Sequence, residues 1–216
     1  MKILTFEGGF DKNLCYLIWC PDTGKAGLID TSVKPEPILE AIQKNDLTLE
    51  KIIITHSHTD HILYSNQFAE HSKSITFYGH TKLINSINSG KYHGLSHGAD
   101  LKLGNDLLTV LHTPGHFPDS ICIWNEAKKI LFTGDTVFVG RTGRVIGNMS
   151  NISHLYQSVY HIIHQLPKNT LIYPGHNYGD CKFTTIGRNI QTSPFFKCKN
   201  LAEFSSVMDK FEKNRS

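Results

Sequence analysis

Apolar positions along this chain fall into short runs of two kinds. Alternating or fully apolar runs at residues 3–6, 14–20 and 25–30 predict strands, punctuated by Gly8-Gly9 and Pro21-Asp22. Pro35 then opens residues 36–44, where Ile38, Leu39, Ala41 and Ile42 sit at helical spacing, and 51–55 returns as a buried strand. Further along, the spacing predicts a helix over 62–70, a strand over 74–78 and a short helix over 81–88. A polar, glycine-containing stretch runs on through Asp100. Strands are predicted at 107–111, 120–124, 129–133 and 170–173, with helices at 153–165 and 200–213. Strands and helices in two similar passes predict two sheets covered by helices, a layered α/β fold. No repeat, linker or low-complexity segment interrupts the pattern, so residues 1–216 read as a single domain.

Composition narrows the class of protein. Apolar residues make up 39% and charged residues 19%, a globular balance, and a formal charge of +3 is too small to imply nucleic acid or a membrane surface. An anionic small molecule stays open as a partner. The N-terminal apolar run is broken at Gly8-Gly9, before it could form a signal-peptide core, and no stretch nears the roughly 20 apolar residues of a membrane helix. A cytoplasmic protein is expected. Five cysteines, an odd number without a Cys-x-x-Cys pair, are expected as reduced thiols.

The chemistry concentrates in Thr55-His56-Ser57-His58-Thr59-Asp60-His61, directly after the apolar run Ile52-Ile53-Ile54. An extended segment leaving a strand aims residues two apart at one point, so His56 and His58 can share one ion. Asp60 and His61, adjacent where a helix would begin, diverge from that pair and can serve a second. Three later segments end predicted strands in turn residues followed by a ligand type: Thr113-Pro114-Gly115-His116, Thr133-Gly134-Asp135 and Pro174-Gly175-His176. Five histidines and two carboxylates without cysteine suit zinc, iron or manganese rather than a thiolate-bound structural zinc. Shared between two ions, they leave positions for a water whose acidity the metal raises, and hydrolysis is the expected chemistry.

These segments, with Leu28-Ile29-Asp30-Thr31, resemble the metallo-β-lactamase superfamily and, within it, the glyoxalase II (hydroxyacylglutathione hydrolase) type. The resemblance implies a four-layer αβ/βα sandwich of two mixed sheets flanked by helices, with two divalent metal ions, zinc foremost, in a groove at one edge. His56, His58 and His116 would bind the first ion, Asp60, His61 and His176 the second, and Asp135 would bridge them. Asp60 and Asp135 would be the catalytic carboxylates, with an activated water attacking the carbonyl of a glutathione thioester.

Secreted β-lactamases carry a signal peptide; flavodiiron relatives have Glu where this chain has His58; homoserine-lactone lactonases have Tyr where it has Phe138. For glyoxalase II, Gly134 to Gly140 is close to the family pattern, and Arg144 and Tyr178 match glutathione-contacting positions, whereas Ile146 replaces a tyrosine. The family's C-terminal helical region is cut short, and Lys197 and Lys199 would replace part of its basic contacts. The runner-up resemblance is to the persulfide dioxygenases, which would hold a single iron with His56, His116 and Asp135. Their Arg-Thr-Asp-Phe signature is absent, since Arg144 is followed by Val145 and Ile146. A metal-binding protein without turnover is the third reading. His93 and His97 are expected in surface loops, His154, His161 and His164 on an exposed or interfacial helix, and Trp19 and Trp124 in the core.

Overall fold

Two six-stranded mixed sheets carry the fold in a computed structural model that describes residues 1–83 and 91–214. The first runs in the order β1 (Lys2–Gly8), β2 (Asn13–Trp19), β3 (Lys25–Ile29), β4 (Thr48–Ile53), β5 (Thr76–His80), β6 (Lys91–Leu95). The second begins at β7 (Asp100–Leu103) and continues through β8 (Asp106–His112), β9 (Ile121–Asn125), β10 (Ile130–Gly134), β11 (Leu171–Pro174) and β12 (Thr184–Thr185).

Side-chain alternation explains the layering. In β2, Leu14, Tyr16 and Ile18 face the second sheet and pack with Val110, Ile121, Ile123 and Phe132. Their neighbours Cys15, Leu17 and Trp19 face outward, onto Ile38 of α1 (Pro35–Lys44) and Phe68 of α2 (Ser65–His71). In the second sheet Cys122, Trp124, Leu131 and Ile172 face outward. They meet Leu155 of α3 (Ile152–Gln157) and Phe204 and Met208 of α5 (Leu201–Lys213). Strands buried on both faces read as continuous apolar runs because neither side meets water. Each such Leu or Ile contributes about 1.5–3 kcal/mol, which makes the sandwich a rigid base for the loops at its edge.

Several elements differ from the sequence reading. The stretch expected as a loop through Asp100 contains β6 and the start of β7. Most of β6 is exposed and offers no apolar alternation to read; it is held by parallel pairing with β5. The helix expected over 62–70 begins only at Ser65, because Tyr64 N–H donates to the Thr31 carbonyl and His61 N–H to that of His58, folding 58–64 as turns. The helix over 153–165 is α-helical for α3, then widens to a π turn at Ser158–Ile162 and tightens to a 3-10 turn at Ile163–Gln165. The short helix expected over 81–88 is a 3-10 turn at Thr81–Leu83, and the remainder lies outside the described residues. The two-residue β12 and α4 (Ile186–Thr192) have no counterpart in the sequence reading, being too short to show a period.

The expectations for the cysteines and tryptophans match: all five cysteines are free thiols, and Trp19 and Trp124 are buried. Among the described residues no helix is long and apolar enough to cross a membrane.

Candidate metal centre

The ends of β4, β8, β10 and β11 and the start of β2 meet at one edge of the sandwich, and backbone hydrogen bonds stitch the sheets together there. Leu14 N–H donates to the Gly175 carbonyl at 2.7 Å and Ile121 N–H to that of Thr55 at 2.8 Å, while within the second sheet Gly175 N–H donates to that of Gly134 at 2.8 Å. His56 and His58 leave β4, His116 follows β8, Asp135 follows β10 and His176 follows β11. The seven residues singled out in the sequence converge as two groups, His56, His58, His116 and Asp135 in one and Asp60, His61 and His176 in the other. Within each group the donor atoms all lie within 4.8 Å of one another.

Partners behind the rings decide which nitrogen faces the centre. A carbonyl only accepts, so His116 Nδ1 donates to the Arg144 carbonyl at 2.9 Å and His176 Nδ1 to that of Asp11 at 2.8 Å. His61 Nδ1 is 2.7 Å from Asp30 Oδ2. Thr55 Oγ1 donates to the same Asp30 oxygen at 2.8 Å, so its lone pair is left to accept from His56 Nδ1 at 3.2 Å. In each case Nε2 is turned inward with its lone pair, as a metal ligand requires. Asp30 thus sets the orientation of two histidines, one in each group. It sits at φ +59, is buried, and also accepts Thr55 N–H at 2.7 Å. The sequence reading named Asp30 only as part of the superfamily motif; a lone Asp after an apolar strand gives no further signal.

The donor set fits a pair of cations. His58 Nδ1 lies 3.0 Å from His56 Nε2 and 3.1 Å from His116 Nε2, three nitrogens crowded onto one point. His61 Nε2 and His176 Nε2 are 3.3 Å apart. Asp135 lies between the groups, Oδ1 3.3 Å from His61 Nε2 and Oδ2 3.5 Å from His116 Nε2 and 3.3 Å from His176 Nε2. Its buried Oδ1 makes no hydrogen bond, a costly arrangement for a carboxylate that a cation would relieve. Asn13, fully buried, donates from Nδ2 to Asp60 Oδ2 at 2.8 Å and holds that carboxylate toward the second group. Nothing in the sequence separates Asn13 from an ordinary strand-end residue.

Electrostatics follow the same division. Burial, then the charge of His61, pushes His56 well below its usual value, and burial with the His116 charge lowers His58 to about 4, so both offer neutral imidazole. Against an opposing burial effect, Asp135 and Asp30 hold His61 well above the usual range, and Asp135 raises His176 to about 9. Burial opposes ionisation of Asp135 as well, yet the His61 and His176 charges keep it well below the carboxylate range. Carboxylates in excess of fixed cations attract either protons or metal to this point, and metal binding displaces those protons.

Beside the ligands an open cavity of roughly 260 Å³ is walled by Asp11, Phe138, Arg141, Arg144, Ile146 and Tyr178. Arg144 lines the cavity, with Glu212 of α5 hydrogen-bonded to its Nε and Nη2. Tyr178 stacks on His176 at 4.7 Å and 5°, and its hydroxyl donates to Asp11 Oδ2 at 2.5 Å. Ile146 is 58% exposed, leaving an apolar rim where the resemblance implies a tyrosine. Lys197 is exposed at the end of the turn Pro194–Phe196, and neither it nor Lys199 is among the lining residues.

His80 and His112 form a pair outside the ligand set, their rings stacked at 4.0 Å and 17°. Burial, then the His112 and Lys82 charges, lowers His80 to about 4, and burial lowers His112 too. An unfolded histidine titrates near 6.5. The unfolded chain therefore takes up protons that the folded chain refuses. The stability is fully present above about pH 6.5 and is lost as pH falls toward 4. Between pH 7 and 5 the protein should lose about 1–2 kcal/mol more than its His80→Phe variant, measured by urea unfolding. Equal losses would remove His80 from the acid response. His93 and His97 are exposed as expected, His93 on β6 rather than in a loop. His154 and His161 are exposed, and His164 is half-buried.

Comparison with known proteins agrees with this geometry. Residues 8–176 match the family model described as "Metallo-beta-lactamase superfamily". A "Probable hydroxyacylglutathione hydrolase" of Schizosaccharomyces pombe is 31% identical over 189 residues, 85% of this chain and 71% of that one. The hydroxyacylglutathione hydrolase GloC of Haemophilus influenzae is 29% identical over 209 residues, 88% of this chain and 95% of that one. The crystal structure of ETHE1 from Myxococcus xanthus superposes with a TM-score of 0.87 at 31% identity, covering 98% of this chain and 91% of that one.

Proposed function

The chain belongs to the metallo-beta-lactamase superfamily, and from that premise we propose that it hydrolyses acylated thiols, glutathione thioesters foremost. The observation that carries this reading is the complete second donor group, Asp60, His61 and His176, facing Asp135 across the centre. Names of relatives at about 30% identity support the same substrate class.

His56, His58 and His116 would hold one ion, Asp60, His61 and His176 the other, with Asp135 shared. Bound there, divalent ions polarise the substrate carbonyl and make water a nucleophile near neutral pH. The chain's own part is positional. Asp60 and Asp135 line the cavity and are held ionised, so both can accept hydrogen bonds from the attacking water. Phe138 and Ile146 supply apolar wall for the thioester, and the Arg144 guanidinium is the wall's charge-assisted donor for a substrate carboxylate.

The alternative, oxygen chemistry at a single iron held by His56, His116 and Asp135, would leave the second group without a task. Elemental analysis with two assays separates them. About two metal ions per chain and cleavage of S-D-lactoylglutathione are expected. One iron per chain, with oxygen uptake on glutathione persulfide and no thioester cleavage, would replace this reading with the alternative. Arg144→Ala should raise KM for the glutathione thioester about tenfold, the value of one charge-assisted hydrogen bond, and change KM for a neutral thioester by less than about twofold. Equal changes would take Arg144 out of substrate recognition.

A further inference from the structure

The loop between β1 and β2 meets the metal centre through Asp11, an exposed residue outside the ligand set. Three groups of this one residue reach the second donor group. Its carbonyl accepts from His176 Nδ1 at 2.8 Å, and its Oδ2 accepts from the Tyr178 hydroxyl at 2.5 Å. Its N–H donates to Asn13 Oδ1 at 3.4 Å, which turns the Asn13 amide so that Nδ2 donates to Asp60 Oδ2 at 2.8 Å. Lys12, between them, sits at φ +56, a conformation lysine rarely adopts, and its carbonyl accepts Asn177 N–H at 2.9 Å. The loop is thereby tied to the chain just beyond His176, with residues 11 and 13 both brought to the centre.

The two restraints on His176 act on different motions. A hydrogen bond from Nδ1 fixes the direction of the ring edge, yet leaves the imidazole free to swing about the N–H···O line. A flat neighbour fixes the plane. Tyr178 stacks on His176 at 4.7 Å and 5°, and the guanidinium carbon of Arg141 lies 4.1 Å from the Tyr178 ring centre. The tyrosine is therefore held by its ring and, through Asp11, by its hydroxyl, whose one proton goes to the Asp11 carboxylate. His56 and His116 take their orientation from Thr55 and the Arg144 carbonyl instead, so the influence of Asp11 falls on the second group.

We propose that Asp11 is the positioning residue for His176: its carbonyl sets the direction of the imidazole, and its carboxylate, through Tyr178, sets the plane of the ring. The proposal rests on the two-ion reading above and gives Tyr178 a task inside the protein. Groups behind a metal ligand have leverage, since losing one typically costs about 10–100-fold in metal affinity.

The test is competition between the zinc-loaded protein and a chromophoric chelator, which yields a dissociation constant for each ion. In Asp11→Ala one constant should rise about tenfold or more, the one missing from His176→Ala, while the other stays within about threefold. Asp11→Asn keeps an acceptor oxygen for the Tyr178 hydroxyl and should hold both constants within about threefold of native. Tyr178→Phe keeps the ring without the hydroxyl and should match Asp11→Ala. The double variant should bind no more weakly than either, because both changes remove one hydrogen bond. A loop that only supported the fold would loosen both ions alike and gain nothing from Asn. Unchanged constants in Asp11→Ala would overturn the proposal, as would a rise in both, no recovery in Asp11→Asn, native affinity in Tyr178→Phe, or additive losses in the double variant. Any of these on a native protein that holds two ions would leave the two-ion reading standing. A native protein that binds a single ion would overturn both.

Discussion

Replacing Asp135 by Asn is expected to leave at most about one metal ion per chain and to lower thioester cleavage by about a thousandfold or more. Asn keeps the shape of the side chain, so the effect isolates its charge and its lone pairs. Asp135 faces both donor groups, with Oδ1 3.3 Å from His61 and Oδ2 within 3.5 Å of His116 and His176. An amide puts an N–H₂ donor on one side of that bridge, where a cation would face a positive end. It also removes a negative charge that, with Asp30 beside His61 and Asp60 beside His176, favours positive charge at this point. The fold should survive, because Oδ1 makes no hydrogen bond to lose. Elemental analysis beside the thioester assay checks the prediction. Full occupancy by two ions with activity within about tenfold of the native protein would show that Asp135 does not bridge.

The parts of this centre that were legible in the sequence are those whose residue types are improbable for any other purpose. Three histidines and an aspartate within His56 to His61 are improbable as a chance cluster in a solvated loop, and three Gly-His or Gly-Asp turns at strand ends have a common explanation in one edge of a sandwich. The outward and inward faces of β2 and β9 were legible as apolar runs but not as faces, since both sides are buried. Support residues left little trace: Asp30 acts through hydrogen bonds to Thr55 and His61, 25 and 31 positions away, and Asn13 through one to Asp60, 47 positions away. Glu212 lies still farther, 68 positions from Arg144, on a helix whose sequence pattern reports only its apolar stripe. Long-range polar pairs have no period, so the sequence gives their types and the fold gives their partners.

Gly175→Ala, a single added methyl, should destabilise the protein by about 2–4 kcal/mol and cost most of its metal and about a hundredfold or more in activity. A Cβ at Gly175 would run into Asp135 Oδ1 and the His61 ring, both far inside contact distance. Neither neighbour can yield cheaply. His61 is fixed by its 2.7 Å bond to Asp30 and is fully buried, and Asp135 is 8% exposed. The main chain at Gly175 cannot retreat either, since its N–H is bonded to Gly134 and its carbonyl to Leu14, the stitches between β10, β11 and the first sheet. Overpacking must therefore be relieved by moving a bridging carboxylate or a ligand ring, and metal geometry tolerates displacements of only a few tenths of an ångström. Gly27 in β3 is the control. An added Cβ there would first meet Leu103 at 3.5 Å, an ordinary contact, and Gly27→Ala should stay within about 1 kcal/mol with metal content unchanged. Thermal unfolding and elemental analysis of the two variants decide the matter. A Gly175→Ala protein that kept its metal and its stability would mean that Asp135 and His61 are not held where the donor groups need them.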